Sequence, residues 1–499
     1  MFKQSALLLM VAAVACTHAL PIRQQEAPVT PSGAQIGEYD PCVHPIVMIP
    51  GLGASVLDYY LTSEYKFIHP ECELLYPRNK WSSGINRLWP SIESSDIIPP
   101  HHIRECWEDM IQVFFNSTTL ESTNQVGVLV RPRDYGGIEG IANLFAVESD
   151  YGFGFSAVYE RWANTLIHKT PGYVDHMNVR GAPYDFRMVA CDSALQSMYS
   201  DLKTLIEDTY ELTRSCATGP RKVFVSTHSL GGPYYLHFLN TFVNQTWKDL
   251  YLESFLSVSS PFLGASMAYS TAISGNSEGL PGSSYAFLPV ERLMGGVLWM
   301  IPNGDYFGTQ PLVQVGNRNY TAQLTDVENS LPSLLRQLPL DRSGAIDILQ
   351  KVIQPRGNPL PPNTTMHCMY GTTLPTEGFD YYADINATTV NPNKYREPVI
   401  RNGKVLLSGA DPLLLLPMNS TNPYYDDAIQ GDKVVQLPSL TLCQNWVGNN
   451  AGHGVEIVPF AGQEHVGLLK SDPFMAYIMG VMDAANKASA LAAAALLQQ

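Results

Sequence analysis

The chain alternates short unbroken apolar runs with longer segments of helical spacing. Ile46 to Ile49, Val223 to Val225, the "SFLSVSS" stretch from Ser254, "MHCMYG" from Met366 and "VEIVPF" from Val455 read as buried strands. Between them, Val158, Trp162 and Leu166 recur at helical spacing within residues 156–169. A second amphipathic helix is predicted around "MYSDLKTLIEDTYELTRS", and a third from Pro233 through "YYLHFLN". Strands that alternate with helices predict an α/β fold, a mainly parallel sheet covered on both faces. No internal repeat is visible. Two stretches break the pattern. Cys72 to Cys106 has no clear period and keeps Trp81, Trp89 and Trp107 in or beside it. Residues 272–365 are rich in Gly, Pro, Ser and Asn, and are predicted to be an insertion or cap.

The N-terminus changes the picture of where this fold works. Lys3 precedes the apolar run "ALLLMVAAVA", and "THA" offers small residues for cleavage. Residues 1–19 are expected to be a secretory signal peptide, 20–40 a flexible lead-in and 41–499 the folded domain. No later run has the length of a membrane span. Six N-x-[ST] sequons follow, at Asn116, Asn244, Asn319, Asn363, Asn386 and Asn419, as expected of a glycosylated secretory chain. A net charge of −15 argues against nucleic acid or an anionic membrane as an electrostatic partner. Without Cys16 the remaining cysteines are Cys42, Cys72, Cys106, Cys191, Cys216, Cys368 and Cys443, enough for three bridges and one thiol. No CxxC pair or His/Cys cluster suggests a metal.

Candidate chemistry centres on "KVFVSTHSLGGPYY". A strand runs into Ser229, two glycines follow, and a helix begins. Such a turn holds a serine Oγ above a sheet and aims the next helix N-terminus at it, as in G-x-S-x-G, here with Thr227 in the first glycine position. A serine nucleophile needs an acid and a base later in the chain, in that order. Asp432 in "QGDKVVQLPSL" follows a glycine on a loop suited to present one side chain. Asp411, Asp426 and Asp427 are the other candidates. His465 lies just past the strand "VEIVPF", whereas His453 precedes it, at the expected opposite end of the sheet. The plain alternative for His465 is a helix-capping polar residue. Two N–H donors must receive the oxyanion: Leu230 after the nucleophile, and Leu52 in the turn "IPGLG" after the first strand.

"HPIVMIPGLG", "RGAPYDFR", "VSTHSLGGPYYLHFL", "VSSPFLGAS", "HCMYGTTLPTEGFDYY", "GDKVVQLPSLTLCQNW" and "QEHVGLL" occur in this order. Together they resemble the lecithin–cholesterol acyltransferase / lysosomal phospholipase A2 family, over about His44 to Tyr477. The resemblance implies an α/β-hydrolase core with a membrane-binding region and a cap. By motif it makes Ser229 the nucleophile, Asp432 the triad acid, His465 the base and the Leu52 turn the first oxyanion donor. It implies disulfides Cys72–Cys106, closing a lid loop, and Cys368–Cys443. Trp81 or Trp89 would be the lid tryptophan that touches lipid. The sequence departs from the family pattern in three places. "PGLGA" leaves Leu52 and Gly53 both open as donor. "GDKVV" stands for the usual "GDGTV". The lid loop is longer. Cys191 and Cys216, which flank one helix, have no family partner, and a bridge between them is expected.

The function so implied is a secreted or endolysosomal serine phospholipid acylhydrolase and O-acyltransferase. It would need no cofactor and would act as a monomer at a phospholipid membrane or lipoprotein surface, with water or a lipid alcohol as acceptor. A neutral lipase or carboxylesterase, and an inactive lipid-binding protein of the same fold, are the alternatives.

Overall fold

The computed structural model describes residues 38–76, 78, 86–91, 102–144, 158–275, 284–315, 318–338, 343–378, 380–382, 399–401, 404–406 and 430–496. Its centre is a six-stranded sheet of β1 (Ile46–Ile49), β2 (Val179–Gly181), β3 (Val223–His228), β4 (Leu252–Val258), β5 (Met366–Thr372) and β6 (Val455–Ala461). The spatial order is β6-β5-β4-β3-β1-β2, and every pairing is parallel. This is the α/β arrangement that the run pattern predicts. Each apolar run lies on a strand, and β3 and β5 extend beyond their runs.

Alternation along the strands assigns the two faces. Val47 and Ile49 join one core cluster, Ile46 and Met48 the other, because successive side chains on a strand point to opposite sides. The first face is covered by α2 (Asp192–Leu212) through Leu195, Tyr199, Leu202 and Ile206, and by α3 (Gly231–Thr241) through Tyr235, Phe238 and Leu239. The second is covered by α1 (Glu160–Lys169) through Trp162 and Leu166, and by α4 (Asp472–Leu496) through Phe474, Ile478 and Met482. Every residue of β1 and β3 is buried, so neither strand needs a polar face. Each large apolar side chain buried this way contributes roughly 1.5–3 kcal/mol.

Two lobes stand beside this core. In the first, Leu57–Leu61 pairs antiparallel with Arg87–Trp89 and Val128–Pro132, and the Cys72–Cys106 bond ties the short helix Cys72–Leu75 to the helix His102–Ile111. Arg133 and Asp58, both buried, pair at 2.5 Å where the lobe rejoins the core. In the second, Pro311–Val315 and Arg318–Thr321 form a five-stranded sheet with Asp380–Tyr382, Val399–Arg401 and Lys404–Leu406. The predicted insertion is therefore built partly from chain well downstream of its own strands, from Asp380 onward.

The cysteine pairing corrects one expectation. Cys216 bonds to Cys42, and Cys191 remains a buried thiol that donates to Glu121 Oε2 at 2.6 Å. The reason is the length of α2. Its 21 residues, at about 1.5 Å each, hold Cys191 and Cys216 roughly 30 Å apart. The third bond is Cys368–Cys443. The C-terminal helix α4 passes beside the start of β1, where Asn486 accepts from the His44 N–H at 2.7 Å. Among the described residues no helix is long and apolar enough to cross a membrane.

Candidate active site

Ser229 stands between β3 and α3 with φ +53, in the left-handed region that a serine seldom occupies. The turn is over-determined by its neighbours. The Ser229 N–H donates to the Val258 carbonyl, and the Gly232 N–H donates back to the Ser229 carbonyl at 2.9 Å. The glycines are required by close approach. A Cβ on Gly231 would sit 2.6 Å from the Pro50 carbonyl oxygen, and one on Gly232 would sit 1.9 Å from Ser260 Oγ. On the facing turn, a Cβ on Gly51 would sit 2.7 Å from the Ser229 Cβ, so the turn after β1 presses directly on the serine.

His465 and Asp432 meet at this end of the sheet. His465 Nδ1 donates to Asp432 Oδ2 at 2.7 Å, and the His465 N–H donates to the Asp432 carbonyl at 2.9 Å. Asp432 is fully buried. Its other oxygen, Oδ1, accepts from the N–H groups of Val434 and Val435 at 3.1 and 2.8 Å. A carboxylate so held fixes the imidazole tautomer and leaves Nε2 free for a proton. Ser229, His465 and His228 line one largely apolar cavity of about 280 Å³ with Leu52, Gly53 and Trp89. Ser229 Oγ makes no hydrogen bond to His465 among the described contacts. The N–H groups of Leu52 and Leu230 have no partner among the described residues, and neither has that of Gly53.

The matching family model is lecithin:cholesterol acyltransferase, over residues 86–334 and 348–472, more than half of the chain. The protein belongs to this family. The human lysosomal phospholipase A and acyltransferase is 26% identical over 445 residues, covering 88% of this chain and 90% of that one. The rat phosphatidylcholine-sterol acyltransferase is 26% identical over 380 residues, covering 76% and 73%. The Arabidopsis thaliana lecithin-cholesterol acyltransferase-like 1 is 29% identical over 293 residues, covering 57% of this chain and 64% of that protein. Among solved structures, the Tle4-Tli4 complex has a chain that matches with a TM-score of 0.50 and 12% identity, over 89% of this chain and 98% of its own, a likeness of fold alone.

Within this family member, other expected residues fall elsewhere. Trp89 is buried in the cavity wall, 3% exposed, rather than on the outer surface. Trp81, Asp411, Asp426, Asp427, Asn386 and Asn419 lie outside the described residues. His453 sits before β6, 3.8 Å from Asp249, away from the cavity. The sequons at Asn116, Asn244 and Asn319 are exposed, and Asn363 is half-buried.

His228 is a site residue that the sequence reading passed over. Its ring packs on His465 with centroids 4.8 Å apart, and its Nε2 lies 3.1 Å from the His465 carbonyl oxygen. Burial first, and the neighbouring His465 second, push its pKa down to about 3, so it stays neutral and serves as a donor to that carbonyl. Its place directly before the serine was the available signal.

Proposed function

We propose that the protein is a serine phospholipid acylhydrolase and O-acyltransferase that works through an acyl-serine. The observation that carries this reading is one cavity lined by Ser229, by His465 in its bond to the buried Asp432, and by the turn of Leu52 and Gly53, whose amides have no partner among the described residues. Family membership and relatives named phospholipase A and acyltransferase support it.

In this mechanism His465 Nε2 takes the Ser229 proton as Oγ attacks the ester carbonyl of a phospholipid acyl chain. Asp432 holds the ring and stabilises the imidazolium. The amides of Leu52 and Leu230 receive the oxyanion, each donor lowering the barrier by roughly 3–4 kcal/mol. The lysophospholipid leaves with the proton from His465. Water, or the hydroxyl of a lipid alcohol, then gives its proton to His465 and attacks the acyl-serine; the bond to Ser229 Oγ breaks, His465 returns the proton to Oγ, and the acceptor carries the chain away.

An apolar cavity suits an acyl chain better than a charged substrate. Leu74, 87% exposed, and Val126, 68% exposed, lie on the lobe closed by Cys72–Cys106, and support that lobe as the contact with a lipid surface. Three disulfides and the N-terminal signal pattern support a secreted or endolysosomal location.

The test is incubation of the purified protein with acyl-labelled phosphatidylcholine and several lipid alcohols, counting fatty acid and new esters. Ser229→Ala should lower both products by at least about a thousandfold with the melting temperature unchanged. Turnover by that variant at the wild-type rate would overturn the reading. Cleavage of short soluble esters but not vesicle phospholipid would move it to a carboxylesterase.

A further inference from the structure

We infer that Trp89 is a positioning residue that sets the oxyanion turn from within the disulfide-closed lobe. The inference rests on the acyl-serine reading above. The lobe's strand Arg87–Trp89 lies between Cys72 and Cys106 and reaches the cavity at its last residue. There the Trp89 indole Nε1–H donates to the Gly53 carbonyl at 2.7 Å, in a fully enclosed setting. The same ring covers the turn, since a Cβ on Gly53 would stand 3.4 Å from it.

This bond closes a specific gap. The turn after β1 is held by one internal bond, from the Ala54 N–H to the Gly51 carbonyl at 3.2 Å. The peptide joining Gly53 to Ala54 thus has its N–H bound by Gly51 and its C=O bound by Trp89. With both groups tied, that peptide cannot rotate, and the amides of Leu52 and Gly53 before it stay free and in place. Gly53 has φ +67 and no side chain, so nothing else in the residue resists a flip. Without the indole donor, the Gly53 carbonyl would be buried with no partner and would turn to find one.

The indole is itself locked. It packs against Trp107 at 6.3 Å and Phe186 at 6.0 Å, and Trp107 Nε1 donates to the carbonyl of Leu88, the residue before Trp89. Trp107 follows Cys106 directly, so the bond that closes the lobe, the two tryptophans and the oxyanion turn form one connected chain. Displacement of the lobe would reach the serine through it.

The test compares the wild type with Trp89→Phe, which keeps an aromatic ring and removes the donor. The readouts are turnover of p-nitrophenyl butyrate, the rate of fluorophosphonate labelling at Ser229 and binding to phosphatidylcholine vesicles. The variant should lose between about tenfold and a hundredfold in kcat and labelling rate, with KM and vesicle binding within about twofold. Trp107→Phe, which leaves the bond to Gly53 in place, should lose less. Should Trp89→Phe fail to fold, an analogue at position 89 with sulfur in place of the indole N–H keeps the shape and gives the same reading. An unchanged kcat would overturn the inference, as would a defect confined to vesicle binding. The two readings fail separately. Wild type that does not label at Ser229 sinks the acyl-serine, whereas equal labelling of wild type and variant sinks only the role of Trp89.

Discussion

Lys433 holds φ +79 beside Asp432, the acid of the proposed triad, at the position where the family pattern "GDGTV" has glycine. A left-handed conformation costs an L-residue about 1–2 kcal/mol, while glycine gives up roughly 0.5–1 kcal/mol through its freer unfolded chain. The Lys433–Glu464 ion pair is more than half exposed on both sides and offsets little of this strain. Lys433→Gly should therefore be at least as stable as the wild type, and Lys433→Val less stable by about 1–2 kcal/mol. Denaturant titration of both measures the order, and a valine variant as stable as the glycine one would refute the strain. At this scale the sequence was most legible. The elbow around Ser229 and the loop at Asp432 are local patterns, with signals within a few residues. Trp89 was not legible in this way, because its partner, Gly53, lies 36 positions away and only the fold brings them together.

Elements obey the same division. The strands β1 and β3 and the helix α2 were readable because the hydrophobic period is a short-range signal. The pairing of Cys42 with Cys216 was not, since it spans 174 residues, and the spacing of Cys191 and Cys216 around one helix pointed to the wrong partner. The Cys42–Cys216 bond joins the segment entering β1 to the segment entering β3. In the chain-entropy model a loop of that length is worth about 5 kcal/mol, and native bridges typically deliver 2–5. Cys42→Ser, Cys216→Ser and the double variant should each lose about the same amount in that range, because one bond is removed in all three. Cys191→Ser keeps a donor for Glu121 and should stay within about 1 kcal/mol of wild type. Equal losses for Cys191→Ser and Cys216→Ser in a denaturant melt would mean that the pairing is different.

The whole molecule titrates as a sum of such local environments, and their signs differ. Burial lowers the pKa values of His228 to about 3 and of His237 to about 4, and also lowers those of His44 and His367. Each is neutral when folded but takes up a proton near 6.5 when unfolded, so the unfolded chain binds more protons below that pH. Stability from these groups is complete above about 6.5 and falls as the pH drops toward their folded values. For His228, enclosed on all sides, the loss between pH 6.5 and 5 is about 2 kcal/mol. Asp134 acts in the opposite sense. Burial raises its carboxyl to about 6, so below that pH the folded state binds the extra proton and gains stability. Burial raises the neighbouring Asp175 as well, and four histidines against two aspartates leave a net loss on acidification. The melting temperature should fall between pH 6.5 and 5, and Asp134→Asn, which is neutral at every pH, should make the fall steeper. His237→Gln should make it shallower. A melting temperature that rises through this window would mean that the buried histidines are not the groups that set the acid limit of the fold.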